Sequence, residues 1–299
     1  EDRMDKVSTM GYGLGYIGGS TIPLLIFLIM NLVGVPMLTC LAFVFGLTAV
    51  WWLAFSLPLL KNCEQTSGKP YEKGDVARNI KGVGTTIKEI IANKPMLIYI
   101  LSYFFYIDGV YTIIDMATAY GSALGLNSTG LLLALLVTQL VAFPFAIIFG
   151  RLASKYSTGR LITACIIAYI GITVFAVFMK SQWQFWVLAI FVGMFQGGIQ
   201  ALSRSYFAKI IPAERSGEYF GLMDICGKGA SFLGTLVVGA ASQIFGSINI
   251  GVSMIVLLFT AGLVLFIMTD KLDSKEADLD IENGMIANNS FAEGKAVNN

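Results

Sequence analysis

Residues 196–234 read QGGIQALSRSYFAKIIPAERSGEYFGLMDICGKGASFLG, and this stretch contains the features that decide the fold. It starts inside one apolar segment and ends inside the next. A short basic region and an Ile-Pro step at 211–212 separate the two segments, and the residue before a proline disfavours the helical conformation. Asp224 and Lys228 interrupt the second apolar segment. Two apolar helices joined by a short basic loop are typical of a membrane protein whose basic loops face the cytoplasm.

The composition of the whole chain also indicates a membrane protein. The 299 residues are 56% hydrophobic and 13% charged, with a mean hydropathy of +0.74. Soluble domains are about 45–50% apolar and about 25% charged. Apolar runs of about 20 residues recur, and each can cross a hydrocarbon core about 30 Å thick. We therefore expect an all-α membrane protein.

Several function classes are not expected from this composition. The net charge of +1 gives no reason to expect a nucleic-acid partner. The chain has no histidine, its four cysteines are far apart, and no phosphate-binding GxxxxGK[ST] loop occurs. We expect no metal site, no cofactor and no enzymatic activity. The expected partners are the lipid bilayer and a small-molecule substrate.

Eight apolar spans are predicted, two before a long polar region and six after it. The polar region, 61–94, has seven basic and four acidic residues, and its second half, 75–92, is predicted to form an amphipathic helix at the membrane surface. The polar tail at 270–299 is predicted to be disordered. The predicted spans are 8–31, 36–60, 95–119, 128–149, 160–179, 184–203, 217–243 and 247–269.

The basic loops 61–94, 150–160 and 204–216 are predicted to face the cytoplasm, together with both termini. Six spans after a long cytoplasmic loop correspond to half of a twelve-helix transporter built from two repeats. We interpret 1–60 as the last two helices of an N-terminal half and 95–269 as a six-helix C-terminal half. On this interpretation the first four helices of the transporter lie outside the chain.

The first span contains Gly11, Gly15 and Gly19 at four-residue spacing. Small residues at this spacing predict close packing between membrane helices. Pro23 in the same span predicts a kink.

The third span contains two acidic residues inside its apolar sequence, Asp108 and Asp115. An ionisable group inside a membrane costs about 2.5–3.5 kcal/mol on insertion scales and therefore needs a cavity or a partner. The two acids are seven residues apart, so they share a helix face with Tyr111. We expect this face either to bind a proton or a substrate ammonium group, or to hold a structural acid.

Asp224 and Lys228 in the seventh span allow two interpretations. Their i, i+4 spacing with the acid first favours an intrahelical ion pair that lowers the cost of insertion. Alternatively, Lys228 faces Asp108 across a cavity, and occupation of one partner frees the other.

Polar side chains also follow one stripe of the sixth span, where Gln196, Gln200 and Ser203 occur. They are candidates either for substrate binding or for hydrogen bonds between helices. Gln139 in the fourth span is isolated and is expected to be structural. Arg204 is a candidate gating residue because it lies at the predicted helix end.

The loop GRLASKYSTGR at 150–160 resembles the loop between the second and third helices of each six-helix unit in the major facilitator superfamily. Gly150, Lys155 and Arg160 match that motif and are candidate gating residues. Ser154 stands where the motif has an aspartate, and the motif's second glycine is displaced.

The opening stretch, together with GYGLGYIGG at 11–19 and FFYIDGVYTI at 104–113, resembles the autophagy-related vacuolar effluxer-like family. The resemblance covers nearly the whole chain except the tail, and the short central region is closest to bacterial members. It implies a major facilitator fold and solute transport, with amino-acid efflux associated with the fungal branch. It places the protein in a bacterial cytoplasmic membrane or, for fungal members, a vacuolar membrane. Asp108, Asp224 and Lys228 match charged positions that recur in the family.

We therefore expect a secondary transporter that moves a small organic solute, such as an amino acid, by alternating access, either coupled to protons or along the solute's own gradient. The rival hypothesis is a membrane sensor or scaffold that has a transporter fold but does not transport.

Overall fold

The computed structural model of the chain describes residues 3–63, 75–269 and 271. These residues form helices and contain no strand, and eight of the helices are long and apolar enough to cross a membrane. The prediction of an all-α membrane protein with eight spans is confirmed. The eight spans, numbered in chain order, are Met4–Leu32, Met37–Asn62, Lys94–Ala123, Ser128–Leu152, Thr158–Val177, Gln182–Ile210, Ala213–Phe245 and Ile248–Thr269.

The junction between the sixth and seventh spans differs from its prediction. The expected basic loop at 204–216 is mostly helical, because the sixth span continues to Ile210 and a 3-10 turn, Ala213–Arg215, leads directly into the helix Ser216–Phe245. No residue before Pro212 opposes the helix, so the sixth span continues until that proline. Arg204 therefore lies inside a helix.

The first span is not a uniform α-helix. It runs as Met4–Gly15, then a π-helical segment Tyr16–Thr21, then Ile22–Leu32. The π segment directly precedes Pro23, which lacks the N–H that an α-helix uses. The irregularity expected at this proline is therefore taken up as a π-bulge, a feature that is frequent at functional sites.

Glycine packing in the first span also differs from its prediction. A Cβ added at Gly11, Gly15 or Gly19 would meet no neighbouring heavy atom within 4 Å, so these glycines do not mediate close helix contacts among the described residues. Gly13 packs against Phe143 of the fourth span, and Gly18 packs against Trp51 of the second span.

Small residues bring the fourth and sixth spans together. The fourth span presents residues at four-residue spacing, and the sixth span presents Ala189, Gly193 and Gly197. A Cβ at Gly193 would lie 2.6 Å from the carbonyl oxygen of Thr138, which leaves no room for a side chain. The small-residue stripe of the fourth span consists of Ala134, Thr138, Ala142 and Ala146.

The remaining spans complete a bundle around this pair. The third span packs on the seventh, the fifth on the sixth and eighth, and the seventh on the eighth. The first span lies against both the fourth and the sixth spans. The second span contacts the end of the first and is largely exposed.

The helix predicted at 75–92 is present as Asp75–Ala92, which we call the surface helix. It is held by Arg215 at the start of the seventh span. Arg215 donates to Glu89 at 2.6 Å, to Thr86 at 2.5 Å and to Glu218 at 2.8 Å. The residues of the predicted tail lie outside the described residues except for residue 271.

Candidate functional site

An open groove of about 800 Å³ lies between the first and sixth spans. The π-helical segment contributes Tyr16, whose hydroxyl donates to the Gln200 side-chain oxygen at 3.0 Å. Gln200 and Arg204 are one helical turn apart, so both reach the groove. Other polar or aromatic residues of the wall are Arg3, Ser8, Tyr12, Ser20, Ser205 and Phe220.

Arg204 is the central charged group of this groove. Its guanidinium donates to the Asp224 carboxylate at 3.0 Å, and both side chains remain partly exposed, at 40% and 47%. The guanidinium also lies 4.8 Å from the centre of the Phe220 ring, within the range of a cation–π contact. Arg204 lines the groove, and its partner Asp224, which is not among the lining residues, lies beside it, so a cation and an anion are adjacent at the groove margin.

Lys228 forms neither of the pairs predicted from its spacing. In the described part of the chain it makes no ion pair with Asp224 or with Asp108, and it is exposed. Asp224 instead pairs with Arg204 on the sixth span, and Asp108 lies against a different face of the seventh span. The relative positions of two helices, rather than the spacing along one helix, decide which partner Asp224 has.

Asp108 is fully buried between the third and seventh spans. Its Oδ1 accepts from the backbone N–H of Gly234 at 2.8 Å and from the Thr112 hydroxyl at 3.3 Å. Its Oδ2 has no hydrogen-bond partner among the described residues. Asp108 therefore does not line the open groove, although it remains a buried carboxylate with one oxygen unsatisfied.

The residues expected to share one face of the third span differ in how deeply they are buried. Asp115 is exposed and Tyr111 is half-buried, whereas Asp108 is covered by the seventh span. The seven-residue spacing correctly relates their directions, but the neighbouring helices cover only one of the two acids.

The polar stripe of the sixth span likewise divides into three environments. Gln200 lines the open groove. Ser203 is fully buried and accepts from the Tyr106 hydroxyl at 2.6 Å, while its carbonyl oxygen accepts from the Tyr99 hydroxyl at 2.6 Å. Gln196 does not line the open groove and instead borders an internal cavity.

That internal cavity measures about 70 Å³ and lies among the third, fourth and sixth spans, with further walls from the other helices of the bundle. Gln139 and Gln196 both line it, and the side-chain oxygen of each is buried without a hydrogen-bond partner among the described residues. Thr112 and Thr138 also line it. Gln139, which is isolated in the sequence and predicted to be structural, thus shares the wall of this cavity with a second glutamine.

At one end of the bundle, Asp5 connects the first span to the fifth and sixth spans. Its carboxylate accepts from Lys209 at 2.6 Å, from Ser205 at 2.6 Å and from Thr158 at 3.2 Å. Lys209 also donates to Thr158 at 2.9 Å. The starts of the first and fifth spans and the end of the sixth therefore meet at one end, as the predicted topology requires.

Gly150 and Thr158 of the loop motif at 150–160 contact the first span, Gly150 by close packing and Thr158 through its hydrogen bond to Asp5. A Cβ at Gly150 would overlap the Thr9 side chain, so the first span approaches closely there. Lys155 and Arg160 are exposed. Ser154, which stands where the motif has an aspartate, lines one pocket together with Asp5 of the first span.

The sequence did not indicate that Tyr12 and Tyr16 line the groove, or that Asp5 connects the first span to the fifth and sixth. Tyrosines in a glycine-rich apolar span and an acid near the chain start carry no motif. The Pro23 irregularity was the available signal for Tyr16, because a π-bulge before a proline redirects side chains in the preceding turn.

Comparison with known proteins shows the family. A family model described as "Vacuole effluxer Atg22 like" matches residues 1–278. The chain is 42% identical over 271 residues to the "Uncharacterized MFS-type transporter YxiO" of Bacillus subtilis (strain 168), covering 89% of this chain and 63% of that protein.

Fungal relatives are more distant. "Autophagy-related protein 22-1" of Penicillium rubens is 23% identical over 290 residues, covering 89% of this chain and 49% of that protein. "Autophagy-related protein 22" of Coccidioides immitis is 27% identical over 306 residues, covering 91% and 50%. The chain thus spans between about half and 63% of the length of these relatives.

The family description and the name of the Bacillus relative refer to transport across a membrane rather than to catalysis, in agreement with the prediction of a non-enzyme. Together with the eight membrane-spanning helices, these matches support the resemblance noted in the sequence. The chain belongs to the Atg22-like vacuole effluxer family and is an integral membrane protein of the MFS type.

Proposed function

We propose that this chain forms the solute-binding part of a secondary transporter that moves a small zwitterionic solute, such as an amino acid, by alternating access. In this proposal residues 95–269 are one six-helix half, and residues 1–60 are two helices of the other half. The first span then lies at the boundary between the halves, where transporters of this kind bind their substrates.

The observation that carries the proposal is the Arg204–Asp224 pair at the open groove. A guanidinium can bind a carboxylate through two parallel hydrogen bonds, and a carboxylate can bind an ammonium group. An amino acid carries both groups, so it can exchange the ion pair within the protein for two ion pairs with the solute. Partial exposure of both side chains keeps this exchange accessible.

The neighbouring neutral groups support the same assignment. Tyr16 and Gln200 offer a hydroxyl and an amide that can bond the solute without adding charge. Tyr12 and Phe220 supply aromatic wall on which an apolar side chain can pack. Efflux as the direction of transport agrees with the family description.

The test is solute counterflow in liposomes that contain the longest natural polypeptide including this chain. We expect labelled amino acids to exchange, and Arg204→Lys and Asp224→Asn each to reduce the exchange about tenfold or more, since a lost charged contact costs about 1.5–3 kcal/mol. Lys180→Ala is the matched control, because Lys180 is exposed and lies outside the groove.

Exchange that is unchanged in both groove variants would overturn the assignment of the binding site. Saturable amino-acid binding without any exchange would favour the sensor hypothesis over transport.

A further inference from the structure

The pocket that contains Asp5 and Ser154 lies between the first and fourth spans, and we call it the basic pocket because Lys6 and Arg151 line it. Its volume is about 440 Å³, and small-molecule sites usually measure about 300–1,000 Å³. The first span lines this pocket with residues 5, 6, 9 and 10 and lines the open groove with residues 4, 7, 8 and 11. The basic pocket and the groove therefore lie on different faces of the first span.

The charged groups of the basic pocket leave two positive charges unbalanced. Both oxygens of the Asp5 carboxylate already accept hydrogen bonds, and Lys209 balances its charge at 2.6 Å. Lys6 and Arg151 are exposed, and neither side chain forms an ion pair or a hydrogen bond with another described residue. The described part of this wall is therefore suited to an anion that comes from outside the chain.

The serine at position 154 leaves these charges free. An aspartate, which the related loop motif has at this position, would bring a further carboxylate into the wall beside Lys6 and Arg151. The Ser154 hydroxyl instead donates to the Arg151 carbonyl oxygen at 2.6 Å and carries no charge. The departure from the motif thus makes the pocket more positive.

The packing of the two spans places both cations at the same level. A Cβ at Gly150 would overlap the Thr9 side chain, and a Cβ at Gly13 would lie 3.6 Å from the Ala146 Cβ. The two spans therefore run antiparallel, because four steps forward on the first span correspond to four steps back on the fourth. The same register sets Lys6 opposite residue 153, which is two residues, or about 3 Å along the helix axis, from Arg151.

The pocket changes from charged to apolar in the direction of the bilayer centre. Lys6 and Arg151 lie near the ends of their spans, at the membrane boundary. Met10 and Ile147 also line the pocket, each about 6 Å further into the membrane along its own helix. Met10 is 56% exposed and Ile147 is half-buried. A ligand that fits this order has an anionic head and an apolar tail.

We infer that the basic pocket binds the headgroup of an anionic phospholipid, with its phosphate between Lys6 and Arg151 and an acyl chain along Met10 and Ile147. Ammonium and guanidinium groups form strong charge-assisted hydrogen bonds with phosphate oxygens. Basic pockets between membrane helices on the cytoplasmic side suit anionic headgroups, and the basic loops predict that this end of the bundle faces the cytoplasm.

The bound lipid would hold the first and fourth spans together at the end where Asp5 connects the first span to the fifth and sixth. It would lie across the first span from the proposed solute site, so the two sites have separate ligands and separate residues.

The test is native mass spectrometry of the longest natural polypeptide that includes this chain, in detergent. Phosphatidylglycerol is compared with phosphatidylcholine of the same acyl chains, because both have a phosphate but only phosphatidylglycerol has a net negative charge. We expect one phosphatidylglycerol per chain to bind about tenfold or more tightly than phosphatidylcholine, since each nearby cation contributes about fivefold. Inorganic phosphate, which lacks the acyl chains, is expected not to displace it.

Three variants and a control locate the site. Lys6→Gln and Arg151→Gln are each expected to weaken phosphatidylglycerol binding about fivefold. Arg151→Lys keeps the charge and is expected to retain most of the binding. Lys155→Gln is the matched control, because Lys155 is an exposed cation of the same loop motif that does not line the pocket, and it is expected to bind the lipid normally.

Equal binding of the two lipids would overturn the inference, and so would equal losses in Lys155→Gln and Arg151→Gln, because only the general positive charge of this end would then matter. Displacement by inorganic phosphate would also overturn it, since the site would then bind a free anion rather than a lipid. The readout is lipid binding rather than solute exchange, so its failure is distinguishable from failure of the proposed transport function.

Discussion

Asp108 shows how the contacts of one residue can limit what its sequence position suggests. An acid in the middle of an apolar span predicts either function or structure. Here one carboxylate oxygen accepts a hydrogen bond from the backbone of Gly234, which is a structural contact, and the other oxygen has no partner among the described residues. The structural expectation therefore has a contact that supports it, whereas a role of Asp108 in binding a proton or a substrate stays a prediction.

Gly234 is the residue that permits this contact. A Cβ there would overlap Thr112 and Asp108, so we expect Gly234→Ala to destabilise the protein by about 1–3 kcal/mol. Thermal or denaturant unfolding in detergent measures this. Gly229→Ala on the same helix is the control, because nothing lies within 4 Å of its Cβ position, and it is expected to be neutral or slightly stabilising. Equal effects of the two substitutions would contradict the close contact.

At the scale of one element, the surface helix is held by a few polar contacts in addition to the buried side chain of Ile90. Arg215, Glu89 and Thr86 join it to the start of the seventh span, and Tyr219 adds a hydrogen bond to Glu89 at 3.0 Å. Thr86 is buried although its neighbours are charged. This network and the buried Ile90 together fix the position of the amphipathic helix.

Arg215→Ala tests that anchor. We expect amide hydrogen exchange over residues 82–92 to increase about fivefold or more, because the helix loses the contacts that join it to the seventh span. Lys88→Ala is the control within the same helix, because Lys88 is exposed, and it is expected to leave the exchange rates near those of the unmodified chain. Similar exchange in both variants would show that other contacts hold the helix.

At the scale of the whole molecule, Asp5 connects helices that are far apart in sequence. Its contacts to Lys209 and Thr158 join the first span to the fifth and sixth spans at one end of the bundle. The open groove lies between two of these elements, the first and sixth spans. In an alternating-access mechanism, contacts at one end of a groove control its opening there.

A double-mutant cycle measures this connection. Asp5→Ala and Lys209→Met are each expected to destabilise the chain, and their coupling energy in unfolding experiments is expected to be about 1–3 kcal/mol. The pair Asp5→Ala and Lys155→Met is the reference, with coupling near zero because Lys155 is exposed. Additive effects of Asp5 and Lys209 would mean that their ion pair contributes no stability.

Hydrophobic runs and basic loops predicted the eight spans because the bilayer imposes a length and a polarity on every crossing helix. Helix ends were less predictable: charged residues at 204 and 209 suggested a loop, whereas the helix continues to its first breaker at Pro212. The Gly11–Gly15–Gly19 pattern predicted close packing, yet Gly13 and Gly18 make those contacts, because the neighbouring helices select the face that is covered.

The sequence by itself determined that this is an all-helical membrane protein of eight spans, and its motifs identified the family. Many of the polar residues inside the spans were singled out, but their partners were not. Only the tertiary structure decided that Arg204 rather than Lys228 pairs with Asp224, that Gln139 and Gln196 share a cavity, and that Asp5 joins three spans. The physical reason is that spans are specified by local hydrophobicity along the chain, whereas pairing depends on how helices pack, and that arises from contacts between residues up to 204 positions apart.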